Sequence, residues 1–252
     1  MTQVEPNPYY ERCDERYTPT ISVVIPAHNE ADNLREILPM MPTNAELILV
    51  TPFGEDDGSV KIAQALRPDI VCIHHHRKGK GNALQVGFDA AQGDIIVMFD
   101  ADGSSDPTEI DWFVAALRAG ADMAKGSRYV VGGSSHDLTW WRSLGNRVLT
   151  RLANKMFGTA YTDLCYGYMA FWRNALDDWA HLPEAYSERA RWGDGFEIEA
   201  MLIAQFTAAG APIVEVPSVE RGRIYGHSNL HPIRDGLRIL RTLVVEYLRK
   251  QS

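Results

Sequence analysis

Four short runs of nearly unbroken hydrophobicity, ISVVI, ELILV, DIVCI and DIIVMF, recur along the first hundred residues. Each is followed by polar, turn-forming sequence and then by a segment with helical spacing. A strand that is apolar on both faces has to be covered from both sides. Repeated strand–helix units of this kind specify an α/β fold, a mostly parallel central sheet flanked by helices. The first strand is read in ISVVIPAHNE, stopped by Pro26, and the fourth in DIIVMFD. Helices are read in NLREILPMMP, KIAQAL, GKGNALQVGFDAAQGD (closing at Gly93) and PTEIDWFVAALRAG.

The second half is less regular. ADMAKGSRYV, Ala121 to Val130, reads as a further strand running into the glycine-rich VGGSSHD. WWRSLGNRVLTRLANKMFG and GFEIEAMLIAQFTAAG have helical periodicity, and APIVEVPSVE reads as an edge strand bounded by prolines. DLCYGYMAFWR fits a strand pair or a loop against the sheet, and its aromatics, like those of TWWRSLG, read as core. No repeat, linker or shift in composition divides the chain. Residues 1–252 are read as one domain, with a polar extension over 1–20 and an amphipathic helix over 232–252.

Parallel sheets of this kind bind ligands at the carboxyl ends of their strands, and the polar clusters HNE, TPFGEDDGS and DADGSSD all fall there. In DADGSSD, Asp100 and Asp102 stand two apart, so an extended backbone turns both carboxylates to one side. Such an oxygen-only pair suits Mg²⁺ or Mn²⁺. A pair of this kind standing alone reads equally as a solvated Asp–Gly turn. GKGNAL puts Lys80, Gly81 and backbone N–H groups at a helix start, where a phosphate or an ordinary glycine loop would fit. It lacks the spacing of a P-loop or a dinucleotide fingerprint. GSRYVVGG offers Arg128 for bidentate phosphate contact, and RGRIYGHSNL offers Arg221, Arg223 and His227 for a loop closing over an anion. The run His74, His75 and His76 cannot point three side chains at one ion from an extended segment, and it is read as non-metal.

Composition removes some alternatives. A net charge of −8 argues against a general nucleic-acid binder. Three widely spaced cysteines form neither a disulfide framework nor a zinc knuckle, so a reducing cytoplasm is expected. The polar N-terminus lacks the apolar core of a signal peptide, and no run approaches the roughly 20 apolar residues of a membrane span. The sequence thus reads as a cytoplasmic protein, at most lying on the inner face of a membrane.

Taken together, VVIPAHNEADNL, RKGKGNALQVGFDAAQGDIIVMFDADGSSDP and GSRYVVGG resemble glycosyltransferase family 2, with its GT-A fold. DLCYGYMAFWR and IVEVPSVERGRIYGHSNL resemble its dolichol-phosphate mannosyltransferase branch. The resemblance implies inverting transfer of a sugar from a nucleotide-sugar donor, UDP- or GDP-linked, to a polyprenyl-phosphate-like or small hydroxyl acceptor. It places Pro26, Ala27, His28, Asn29 and Glu30 in the nucleotide-contact segment, Asp100 and Asp102 on the Mg²⁺ or Mn²⁺, and Arg128 on phosphate. Thr51 and Ala101, at the ends of the second and fourth runs, join the donor-side candidates.

The chain departs from the family's pattern at two points. The D-D-G-S segment expected directly after the second strand is displaced by TPFGE, so Asp56 and Asp57 stand later than in the family. Ser104 occupies the place of a further polar ligand. A phosphate acceptor needs no base, whereas a hydroxyl acceptor does. Asp194 in WGDGFEIEA is the candidate base, with an N-cap for the following helix as the competing role. In the last helix Ile233, Leu237, Leu240 and Val244 share a face beside Arg234, Arg238, Arg241, Arg249 and Lys250. That face suits anionic lipid, packing on the domain, or a homodimer partner. Two other classes compete: nucleotidyltransfer, which would place a glycine-rich Arg/Lys loop where PAHNEADN stands, and a non-catalytic nucleotide- or carbohydrate-binding protein.

Overall fold

The computed structural model describes residues 17–227 and 229–251. Most of the polar extension, residues 1–16, lies outside them. The four apolar runs form β1 (Ile21–Pro26), β2 (Glu46–Pro52), β3 (Val71–His75) and β4 (Ile95–Met98). These pair in parallel, with Ser22 opposite Glu46 and Ile21 opposite Ile95 on the two sides of β1. Successive residues of a strand face opposite sides, yet Val23, Val24 and Ile25 are all at 0% exposure. Both faces of the sheet are therefore covered at β1, β2 and β4, which is why their runs are unbroken rather than alternating, while β3 at the edge is more exposed. The intervening helices are α1 (Ala31–Ile37), α2 (Ser59–Leu66), α3 (Lys80–Ala90) and α4 (Ile110–Arg118). Helix α3 ends at Ala90, short of Gly93, whose N–H turns back to Ser22 Oγ at 2.8 Å.

The remaining elements are β5 (Met123–Ser127), β6 (Ser134–Ser135), α5 (Trp140–Phe157), β7 (Met169–Trp172), α6 (Arg173–Trp179), α7 (Glu197–Ala209), β8 (Ile213–Pro217), β9 (Val219–Glu220) and α8 (Pro232–Gln251). The main sheet has the order β3-β2-β1-β4-β7-β5-β8, and β6 pairs with β9 beside it. Strand β7 runs antiparallel to both neighbours, so β5 and β8 point the same way as β1–β4. The APIVEVPSVE segment forms the expected edge in β8. The strand expected over 121–130 is shorter than its apolar run, because Arg128 leaves it for a buried ion pair.

The aromatics divide into two groups. Tyr166, Tyr168, Phe171 and Trp172 are core, as read from the sequence. Tyr168 stacks on Phe113 with centroids 4.4 Å apart, meets Phe99 edge-on, and donates its hydroxyl to the carbonyl of Asp106 at 2.9 Å. Burial of a ring this size contributes about 2 kcal/mol, and here it also hangs the Asp100–Asp106 loop on the core. Trp140 and Trp141 instead are 78% and 44% exposed, against the core reading.

Candidate functional site

The ends of β1, β2, β4, β5 and β8, and the start of antiparallel β7, share one edge of the sheet. Phe99 N–H donates to Val24 O at 3.0 Å and Ala27 N–H to Val50 O at 2.9 Å, carrying the ladder just past the strands before the backbone opens. There β4 delivers Asp100, buried Ala101 and Asp102, while β1 delivers Pro26, Ala27 and the polar His28–Glu30.

Two cations hold four carboxylates at this edge. Lys80 Nζ lies 2.5 Å from Asp100 Oδ1 and 2.6 Å from Glu199 Oε1, bridging the start of α3 to α7. Arg223 lies 3.0 Å from Asp102 Oδ2 and 2.8 Å from Glu30 Oε1. Burial works against the charge on Lys80, and Asp100 and Glu199 outweigh it, so the ammonium is held well above the usual lysine range. Burial, reinforced by Asp100, prevails over Lys80 at Glu199 and raises its carboxyl. For Arg223 the bond to Glu30 and the field of Asp102 overcome burial and raise the guanidinium.

Ionised, the four acids exceed the two bases by two charges. Two oxygen donors on one loop, in a pocket short of two positive charges, fit a hard divalent cation. Among the described residues no group of three or more His, Cys, Asp and Glu side chains has metal-holding geometry. Asp100 and Asp102 would therefore act as a pair, leaving the other positions to water and phosphate oxygens. Ser104 uses its backbone here, its N–H donating to Asp102 Oδ1 at 3.0 Å and its carbonyl accepting from Arg221 N–H at 2.8 Å.

The 221–227 segment of RGRIYGHSNL lies against this edge. Ile224 N–H donates to the carbonyl of Asp102 at 3.2 Å. Asn33 holds the other side, accepting Tyr225 N–H at 2.9 Å and donating to Tyr225 O at 3.2 Å. Arg221 reaches Asp106, and His227 is exposed. Beside the loop lies an open depression of about 240 Å³ lined by Asn29, Asp32, Asn33, Asp57, Tyr225 and Gly226. Despite its displacement in the sequence, Asp57 folds back to accept the backbone N–H of Asn29. Burial opposes its charge, but N–H bonds from Ser59 and Asn29 hold its carboxyl below the ordinary range. Asn29 itself has φ 61°, a left-handed turn that asparagine tolerates.

Other predicted residues stand elsewhere or are already engaged. Arg128 is buried, with Nε and Nη2 on Asp163 at 2.7 and 2.9 Å, Nη1 on Glu220 at 3.1 Å, and its guanidinium over the Tyr166 ring. Asp194 does not cap α7, whose N-cap is Phe196. Both its carboxylate oxygens are taken, by Arg77 at 2.8–3.1 Å and by Arg191 N–H at 2.6 Å. Its carbonyl accepts from Gly81 and Asn82 N–H at 2.8 and 3.2 Å, so the N–H groups expected to face phosphate are used internally. A Cβ on Gly81 would lie 1.9 Å from Gly193 O, and one on Gly79 2.1 Å from Asp194 O. Those glycines admit the 193–195 backbone. Thr51 is buried with Oγ1 2.9 Å from His74 Nδ1, and His28 pairs with Glu55 at the surface. The histidines alternate along the strand: His74 and His76 both lie against Phe53, while His75 turns the other way and bonds Arg77 O.

Sequence reading overlooked four participants. Glu199 was visible beside Asp194 but carried no sign that it, and not Asp194, meets Lys80. Asp163 and Glu220, which hold Arg128, lie within DLCYGYMAFWR and IVEVPSVERGRIYGHSNL, but nothing in those stretches marks them as its partners. Asn33 gave only a helical position, and its partner Tyr225 is 192 residues away.

An open α/β sheet with a carboxylate pair at its carboxyl edge is the architecture of GT-A glycosyltransferases, and solved structures bear this out. Glucosyl-3-phosphoglycerate synthase from Mycobacterium tuberculosis, in complex with Mn²⁺, UDP and phosphoglyceric acid, superposes with a TM-score of 0.69. That likeness covers 95% of this chain and 82% of the other at 22% identity, and it speaks for the fold. A model of Glycosyl transferase family 2 matches residues 22–179, and the chain belongs to that family. Its curated relatives include polyprenol monophosphomannose synthase of Mycolicibacterium smegmatis, 34% identical over 172 residues, 64% of this chain and 65% of that protein. An undecaprenyl-phosphate 4-deoxy-4-formamido-L-arabinose transferase of an Enterobacter species is 30% identical over 177 residues, 65% of this chain and 52% of that protein. The chain thus spans less than two thirds of the length of either relative.

Proposed function

We propose that this chain transfers a sugar, with inversion, from a UDP- or GDP-sugar to a polyprenyl phosphate, using Mg²⁺ or Mn²⁺ held by Asp100 and Asp102. The observation that carries this reading is the carboxyl-edge cluster, where, among the described residues, Glu30, Asp100, Asp102 and Glu199 share Lys80 and Arg223 as their ion-pair partners. When bound, the cation would neutralise charge building on the leaving nucleoside diphosphate. Lys80, fixed by Glu199, keeps Asp100 in place, and Arg223 is positioned to exchange carboxylate for phosphate oxygens on the donor. Pro26, Ala27 and the polar His28–Glu30 segment lead into the depression through Asn29, which lines it with Asp57, and the nucleoside would lie there. The crystal neighbour with Mn²⁺ and UDP supports this assignment.

Two lines support a phosphate acceptor over a hydroxyl. Relatives are named for polyprenol and undecaprenyl-phosphate substrates. Asp194, the candidate base, is engaged by Arg77 and Arg191, and an acceptor that arrives as an anion needs no base. Thermal denaturation with UDP-, GDP- and dTDP-sugars, with and without Mn²⁺, tests the donor assignment. Binding to the folded state raises the melting temperature. The expected result is a rise for one nucleotide that requires the metal; an equal rise for every nucleotide without metal would overturn the assignment.

A further inference from the structure

Helix α5 is amphipathic in the inverted sense. Its inward face carries Asn146, Thr150, Ala153 and Phe157, and polar contacts do much of the attachment. Asn146 donates to Asp163 at 2.8 Å and accepts Cys165 N–H at 3.0 Å, while Asn154 donates to Tyr161 O at 2.8 Å. Its outward face carries Trp140 at 78% exposure, Trp141 at 44%, Leu144 at 52% and Val148 at 55%. At about 100° per residue, these four and the exposed Arg147, Arg151 and Lys155 fall within an arc of about 120° opposite the inward face. Those three cations have no carboxylate partner among the described residues, and the helix contains no acidic residue. Val131, 99% exposed, follows Tyr129, which is tied to α5 through Ser143 at 2.9 Å and through Arg147 over its ring.

We infer that this face docks on an anionic lipid surface. Exposed tryptophans beside lysine and arginine match an interface with an apolar interior and negative headgroups. Charge complementarity selects that occupant. A chain of net charge −8 would be repelled from anionic lipid unless a cationic face led, and α5 is such a face. A second copy meeting the same face would set its cations against their own kind. Placement agrees: the segment before α5 contributes β6, which pairs with β9, and β9 leads directly into Arg221 and the loop over Asp102. Among the described residues no helix is long and apolar enough to cross a membrane, so on these elements contact is from the surface. Helix α8 is less suited, although Ile233, Leu237 and Leu248 are exposed. Its Arg238 and Arg241 turn inward onto Trp192, and Arg238 also pairs with Glu197. This inference deepens the proposed function, resting on its lipid-linked acceptor.

The test is flotation of the full chain with vesicles of phosphatidylcholine alone and with about a third phosphatidylglycerol. The wild type should float with the anionic vesicles only, and less as salt is raised. The double variant W140S/W141S should bind about tenfold more weakly or worse, and R151E/K155E should lose the preference for anionic lipid. An Ile233→Ser/Leu237→Ser variant should float as the wild type does. Flotation with neither vesicle, or flotation undiminished in W140S/W141S, overturns the inference. So does sedimentation showing a wild-type dimer that W140S/W141S turns into a monomer. The metal- and nucleotide-dependent rise in melting temperature should be the same in W140S/W141S and wild type. If that rise is missing from both while flotation follows the expected order, the donor assignment falls and the lipid face stands.

Discussion

Two clusters of carboxylates and cations lie along the same sheet edge and differ in closure. Around Arg128, side-chain exposure is 3% for the arginine, 0% for Asp163 and 9% for Glu220. Every guanidinium nitrogen there has a carboxylate partner. Around the Asp100–Asp102 pair, exposure rises to 34% for Asp100 and 18% for Asp102. The first arrangement is finished without a ligand, and the second is not. An arginine in the right motif is therefore insufficient to mark a phosphate site. On the proposed function the open cluster would carry the chemistry, while the closed one holds the chain where it leaves β5.

The comparison can be broken first at Asp102. Asp102→Ala should lower transfer by about a thousandfold, with Mn²⁺ binding lost by calorimetry and the fold kept by circular dichroism. Next, Asp163→Asn should leave Arg128 with Glu220 as its one remaining carboxylate partner and lower unfolding free energy by about 2 kcal/mol, read by urea denaturation. The reverse pattern, stability lost at Asp102 and turnover lost at Asp163 with the fold intact, would exchange the roles of the two clusters.

Acid sharpens the same contrast. Although burial raises it, the hydrogen bonds and charge of Arg128 hold the Asp163 carboxyl below its ordinary value. Its contribution to stability is then fully present above the unfolded-state value of about 4. It fades as pH falls through the lower folded-state value. Asp163→Asn should flatten the acid limb of the stability curve, measured as melting temperature against pH. The smallest effect is expected at Arg223. Arg223→Ala removes the cation already on Asp102, so Mn²⁺ without nucleotide should bind several-fold more tightly, the direction set by like-charge repulsion.

Legibility in the sequence followed the range of the interactions involved. Strands β1, β2 and β4 were readable because burial on both faces is a local property, written as ISVVI or DIIVMF, and edge strand β3 was readable from its short apolar run. Asp100 and Asp102 were readable as a pair from their spacing. The insertion of β7 between β4 and β5 was not, since MAFW has the same composition whether it pairs in the middle of a sheet or packs beside one. Arg223 was visible as a cation, but its grip on Glu30 spans 193 residues. Asp57 looked displaced because sequence distance does not show a loop folding back to Asn29. The tryptophans of α5 misled because an aromatic residue is usually inside, and only the hydrogen bonding of Asn146 shows which way the helix faces.

The late arrival of β7 has a consequence for the order of assembly. During synthesis β1–β4 are complete once Met98 has emerged, yet the outer flank of β4 stays without a neighbour until Met169–Trp172 appears. Strand β5 cannot fill the gap, since it pairs with β7 and β8. A nascent chain halted before Trp172 carries an open parallel edge of Ile95, Ile96, Val97 and Met98, the kind of edge that recruits other chains. The strand that seals the sheet is thus also its folding checkpoint, and truncations that spare every residue of the carboxylate cluster up to Asp102 would still aggregate.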